Sequence, residues 1–277
     1  LIQALVIYIF FVLGKLLGLK YGRQFFSQIF LKIAPFFKSE RIIHKNLTTF
    51  KKDITEIEKK EIISCMWSNY GKTFLEYMFL KTFRENNHFI KIEGENILKR
   101  VKERKKPVIF ISGHFANFEL MSMQITKKEI PLAAIYRPLN NYFLNPLMEY
   151  LRRKYVCKNQ IKKGTLGVRE AVQYIKKGFS IALMIDQRVS EGEKIEFFGK
   201  PAFTTTLPAQ LSIKYGLSIV PVFIERDKEN FKIRFYDEIK SSDFKDKLLL
   251  TKKLSKILEL MITRNPNEWI WTHNRWK

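Results

Sequence analysis

Three polar residues stand just past apolar runs: His114 after PVIFIS (residues 107–112) and Gly113, Arg137 after PLAAIY (131–136), and Asp186 after FSIALMI (179–185). The runs read as buried strands, and in α/β sheets ligands collect at the carboxyl ends of strands. The densest segment is Gly113-His114-Phe115-Ala116-Asn117-Phe118-Glu119. Five positions along one helix turn through about 500°, which leaves His114 and Glu119 about 140° apart. They meet only if His114 lies in the turn before a helix and Glu119 reaches back from its start, a turn that Gly113 makes accessible. A histidine oriented by a carboxylate is a general base. With no serine or cysteine nucleophile beside it, the base would act on a substrate hydroxyl, and attack of that hydroxyl on a thioester would transfer an acyl group.

The elements that must carry these residues alternate. Thr55 and Glu58 form a capping-box pattern that opens a helix running toward Lys81. The strand at 107–112 leads into a helical run from Phe115, the strand at 131–136 ends in Arg137-Pro138, and a helix over 164–177 stops at Gly178 before the strand at 179–185. Three threonines at 204–206 precede a helix with Pro208 in its first turn, and 217–224 and 231–236 read as further strands. The alternation of 231–236 suits an edge strand or a one-sided face. A basic helix over 244–263 and a Trp-rich tail follow. This pattern predicts an α/β fold, a mixed but largely parallel sheet flanked by helices.

The chain has 277 residues, with 50 Lys+Arg against 27 Asp+Glu, a net charge of +23. At 46% hydrophobic residues it is too apolar for a disordered polybasic tail. The charge calls for an anionic partner: nucleic acid, an anionic membrane surface or an acidic carrier protein. Two cysteines, Cys65 and Cys157, exclude a disulfide framework, and with four histidines they leave little for a metal centre.

Residues 1–14 are uncharged, and residues 1–37 hold four basic and no acidic side chains. We expect a membrane anchor or interfacial segment over 1–37, spanning or lying on the bilayer, and one catalytic domain over 38–277. The segment lacks a basic stretch before the apolar run and a small-x-small cleavage pattern, so it reads as an anchor rather than a cleaved leader. Residues 38–53 read as a basic connector.

GHFANFE (113–119) resembles the His-x4-acid motif of glycerolipid and lipid A acyltransferases. IYRPLNN (135–141), LMIDQ (183–187), FFGKPAFTTT (197–206), LSIVPVF (217–223) and EWIWTHNRWK (268–277) look like segments of the Gram-negative lipid A late acyltransferase family, in the same order along the whole chain. The resemblance implies a glycerolipid-acyltransferase-like fold behind a hydrophobic N-terminal helix. It implies His114 as general base with Glu119 as its partner. Arg137 would hold a phosphate or the oxyanion, and Asp186 would orient Arg137 or a substrate group. Asn117, Thr204 and Thr205 would help bind substrate. It implies transfer of a fatty acyl chain from acyl carrier protein to a hydroxyl of a lipid A precursor, at the cytoplasmic face of the inner membrane, without metal or organic cofactor. Another phospho- or glycolipid acceptor stays open. Trp269, Trp271 and Trp276 suit either interface anchors or core packing, and Arg275 and Lys277 could meet anionic headgroups. Arg152, Arg153, Lys154, Lys158, Lys162 and Lys163 form a basic cluster suited to an acidic carrier or a phosphorylated glycolipid. The charge also permits a non-enzymatic membrane or nucleic-acid-binding protein, but no nucleic-acid motif appears.

Overall fold

The computed structural model describes residues 1–277, apart from the side chain of Phe37. The helices are α1 (Ile2–Ile33), α2 (Glu40–Phe50), α3 (Glu56–Glu76), α4 (Leu80–Glu85), α5 (Glu95–Arg104), α6 (Glu119–Lys127), α7 (Asn145–Leu151), α8 (Thr165–Lys176), α9 (Leu207–Tyr215) and α10 (Lys247–Arg264). The strands are β1 (Ile90–Glu93), β2 (Ile109–Ser112), β3 (Leu132–Tyr136), β4 (Asn159–Lys162), β5 (Ser180–Met184), β6 (Glu193–Phe197), β7 (Lys200–Thr204), β8 (Ile219–Asp227) and β9 (Asn230–Phe235).

Seven strands form one sheet in the order β1-β9-β8-β2-β5-β3-β4, and β6 and β7 form a separate hairpin. Only the β8–β9 pair within the large sheet is antiparallel. The central strands are apolar along their length because both faces are covered. Ile109, Ile111, Ile181 and Leu183 enter one core, with α2, α10 and the C-terminal tail. Phe110 and Ala182 enter the opposite core, with α5 and α6. The alternating strand β9 is internal: the short, half-polar β1 takes the edge beside it.

Sequence and structure part company in the connector. Residues 38–53 contain α2, whose Ile43 and Leu47, four apart, are fully buried. The Thr55–Glu58 capping box is present and opens α3.

Helix α1 is not straight. Gly18 has φ 72° and ψ 174°, outside any helix. Phe10 and Phe26 would lie about 24 Å apart on a continuous helix, yet their ring centroids are 5.8 Å apart. The chain therefore doubles back at Gly18 into two arms, residues 2–17 and 19–33. The second arm seats on α3 so closely that a Cβ at Gly71 would fall 2.2 Å from the Phe26 carbonyl oxygen. The first arm leaves Ile2, Leu5, Ile9, Val12 and Leu16 exposed.

Backbone cannot yield as a flexible side chain does, so Gly71→Ala must push the second arm away. We expect a loss of about 1–3 kcal/mol and faster proteolysis within residues 18–34. Thermal unfolding and timed proteolysis of the detergent-solubilised protein check this; an unchanged cleavage pattern would contradict the close seating.

Candidate active site

Strand register builds the centre. Ser112 of β2 is opposite Met184 of β5 in a parallel pair, so the residues two positions beyond each strand, His114 and Asp186, emerge side by side. The His114 Nδ1 lies 2.8 Å from Asp186 Oδ1, and the backbone N–H of His114 donates to Oδ2 at 2.8 Å. The Trp269 indole N–H donates to the same Oδ2 at 2.9 Å. Asp186 is fully buried, whereas the imidazole keeps 21% of its surface open. Burial pushes the Asp186 carboxyl up, but the adjacent imidazole and these three donors hold it below the usual carboxylate value. An ionised carboxylate only accepts, so Nδ1 is the nitrogen that donates to Asp186 and Nε2 is the ring nitrogen turned away from it.

This corrects the expected pairing: the carboxylate that orients His114 is Asp186, and Glu119 is engaged elsewhere. Glu119 is the first residue of α6, where the helix N-terminus favours a negative charge. Its Oε1 accepts from the Tyr77 hydroxyl and from Arg152 Nε, both at 2.7 Å, and Arg152 Nη2 donates to the Tyr77 oxygen at 3.1 Å. Burial pushes the Tyr77 hydroxyl up, and Glu119 beside it adds to the effect. Arg152 Nη1 is buried without a partner. Sequence reading placed Arg152 in a solvent-facing docking cluster. A π-helical turn over Arg152–Val156 instead folds it inward against Glu119; such turns are enriched at functional sites.

His114, Glu119 and Arg152 all line one cavity of about 540 Å3, a size suited to a small-molecule or acyl-chain site. Its buried lining combines apolar Met121, Ala134, Val156 and Ala182 with polar Ser122 and Gln160. Arg137, Lys163 and Lys38 line the cavity as exposed cations, and Thr205 and His273 complete another side. Partial burial and the charge of Arg137 hold the Lys163 ammonium below its usual value. His273 Nε2 accepts the backbone N–H of Arg188 at 2.9 Å, and burial holds its imidazole below the usual value.

Other expected site residues fall behind the wall. Asn117 is fully buried and donates to Glu76 Oε2 at 2.9 Å rather than facing the cavity. Thr204 is buried, donating to the Ala202 carbonyl and accepting from Arg275 Nη2 at 2.6 Å. Asp186 orients His114, not Arg137. Trp269, Trp271 and Arg275 are all buried, which removes them as membrane contacts. Among the described residues no group of three or more His, Cys, Asp or Glu is arranged to hold a metal ion.

The chain is 27% identical over 256 residues to the lipid A biosynthesis palmitoleoyltransferase of Escherichia coli K12, covering 88% of this chain and 80% of that protein. It is 22% identical over 258 residues to the lipid A biosynthesis lauroyltransferase of the same organism, covering 89% and 82%. Among solved structures it resembles the 1-acyl-sn-glycerophosphate (LPA) acyltransferase PlsC of Thermotoga maritima at a TM-score of 0.43 and 12% identity, covering 97% of this chain and 98% of that one. All of residues 1–277 match the family described as bacterial lipid A biosynthesis acyltransferase, and the chain belongs to that family.

Proposed function

We propose that this acyltransferase moves a fatty acyl chain from acyl carrier protein to a hydroxyl of a lipid A precursor, with His114 as general base. The observation that carries the reading is the imidazole itself: Nδ1 is held by the buried Asp186 while the ring lines a cavity that also presents buried apolar side chains and exposed cations. His114 Nε2 takes the acceptor's hydroxyl proton, and the oxygen attacks the thioester carbonyl. The Arg152 guanidinium, fixed in the cavity wall through Glu119, supplies the positive charge that stabilises the tetrahedral oxyanion. Collapse expels the carrier's thiolate, which recovers the proton from the imidazolium. Glu119 thus serves catalysis by aiming a guanidinium. Arg137 and Lys163 suit the phosphates of the acceptor. Family membership sets aside the alternative of a non-enzymatic basic protein.

Association with the inner membrane, from its cytoplasmic side, follows from the same reading. The N-terminal helix is long and apolar enough to cross a membrane by length and composition. Its fold at Gly18 instead supports entry from one side. The loop carrying exposed Tyr142 and Phe143 is tied to the first arm by the Tyr8 hydroxyl, which donates to the Phe143 carbonyl at 2.6 Å. Leu139, in the same loop, lines the cavity, so the apolar face and the cavity opening adjoin.

Transfer from a panel of acyl carrier donors to lipid A precursor, read by mass spectrometry of the product, tests the mechanism. His114→Ala and Asp186→Asn should lower kcat by about 10²–10⁴-fold with the fold intact; near-normal turnover by His114→Ala removes the mechanism. Arg152→Lys should cost about 10²-fold or more in kcat, because an ammonium cannot keep the forked contact with Glu119 and Tyr77. Arg137→Ala should instead raise KM for the phosphorylated acceptor with kcat nearly unchanged, and equal loss on a dephosphorylated acceptor would refute its role. Tyr142→Ser with Phe143→Ser should weaken binding to anionic vesicles in flotation while leaving turnover of micellar substrate intact.

A further inference from the structure

Two residues lie midway between His114 and Glu119, and neither touches the cavity. Ala116 has φ 42°, a left-handed conformation that strains a residue with a Cβ. Its backbone is held at both ends: its N–H donates to the Glu268 carbonyl at 3.3 Å, and its carbonyl accepts from Thr73 Oγ1 at 3.2 Å. The next side chain, Asn117, donates to Glu76 Oε2 at 2.9 Å.

Glu76 is fully buried and gathers three elements. Arg23 Nε, from the second arm of the N-terminal hairpin, donates to Oε1 at 2.7 Å. Arg226, from β8, donates to Oε1 at 2.6 Å and to Oε2 at 3.1 Å, and its Nη2 also reaches Thr73 at 2.8 Å. Burial pushes the Glu76 carboxyl up, but the two guanidiniums hold it below the usual range. A carboxylate so saturated is a fixed point against which a strained turn can be clamped.

We propose that Asn117 and Glu76 are positioning residues: through their hydrogen bond they hold the left-handed turn at Ala116 and so set where the His114 imidazole stands relative to the Glu119–Arg152 pair. This rests on the reading of His114 as base. Neither residue meets substrate; both act through the backbone between His114, the base, and Glu119, which holds Arg152.

Asn117→Ala is the cleaner test, because it removes the tie and leaves Glu76 its two arginines. With acyl carrier donor and lipid A precursor, we expect kcat to fall about 10- to 100-fold while KM for both substrates stays within about twofold. Ala116→Gly in the Asn117→Ala background should restore much of the loss, since glycine adopts positive φ without strain. Hydrogen exchange over residues 113–120 should quicken about tenfold in Asn117→Ala and recover in the double variant. Normal kcat in Asn117→Ala, or a loss that Ala116→Gly does not relieve, overturns the proposal. His114→Ala serves as control: if it retains activity, the base is wrong but not the clamp. If the wild type transfers nothing, the exchange data alone decide, and unchanged protection in Asn117→Ala rejects the clamp.

Discussion

The buried carboxylate of Asp186 is the constraint from which the site follows. It has no contact with water, so its charge must be matched by donors from the protein. Three supply this: an imidazole, the backbone amide of the same histidine, and an indole from the C-terminal tail. Each donor is thereby fixed in turn. The ring cannot rotate without stranding the carboxylate, the turn after β2 cannot shift without withdrawing its N–H, and the tail must pack into the core on its face of the sheet to deliver Trp269. The aromatic tail is therefore a structural part of the centre, packed as Trp269 against Trp271 with ring centroids 4.6 Å apart.

A second buried carboxylate, Glu76, organises the opposite side of the same turn. The two have different tasks. Asp186 holds the imidazole of His114, while Glu76 pairs with two guanidiniums that join the N-terminal hairpin and β8 to α3. Breaking either leaves an uncompensated buried charge, the situation in which a salt bridge matters most. The segment from His114 to Glu119 is suspended between these fixed points, which explains how a non-glycine residue persists at positive φ there.

How much was legible in advance depended on whether the signal was local. The strand-Gly-His pattern, the three polar residues at strand ends and the capping box at Thr55 are local, and each appears in the structure where its pattern placed it. The partner of His114 is not local. Spacing pointed to Glu119, five residues on, whereas the neighbour is set by the register of β2 against β5, 72 residues away. Arg152 was unreadable for a similar reason. Within a run of cations it looked like solvent-facing charge, and only a π-helical turn brings it inward. Strands β1 and β4, of sequence IKIE and NQIK, are too short and polar to announce themselves. In α2 the signal was present in the pair Ile43 and Leu47 but was masked by the lysines around it.

The reversal at Gly18 has a consequence for scale. Each arm is some 16 residues, about 24 Å at most, against a hydrocarbon core of about 30 Å. On the membrane association proposed above, a peg of that reach, returning to the side it came from, would engage the near monolayer and leave the far one untouched. Acceptors held in that near monolayer would then lie within lateral diffusion of the cavity, while any stranded opposite would first have to be flipped across.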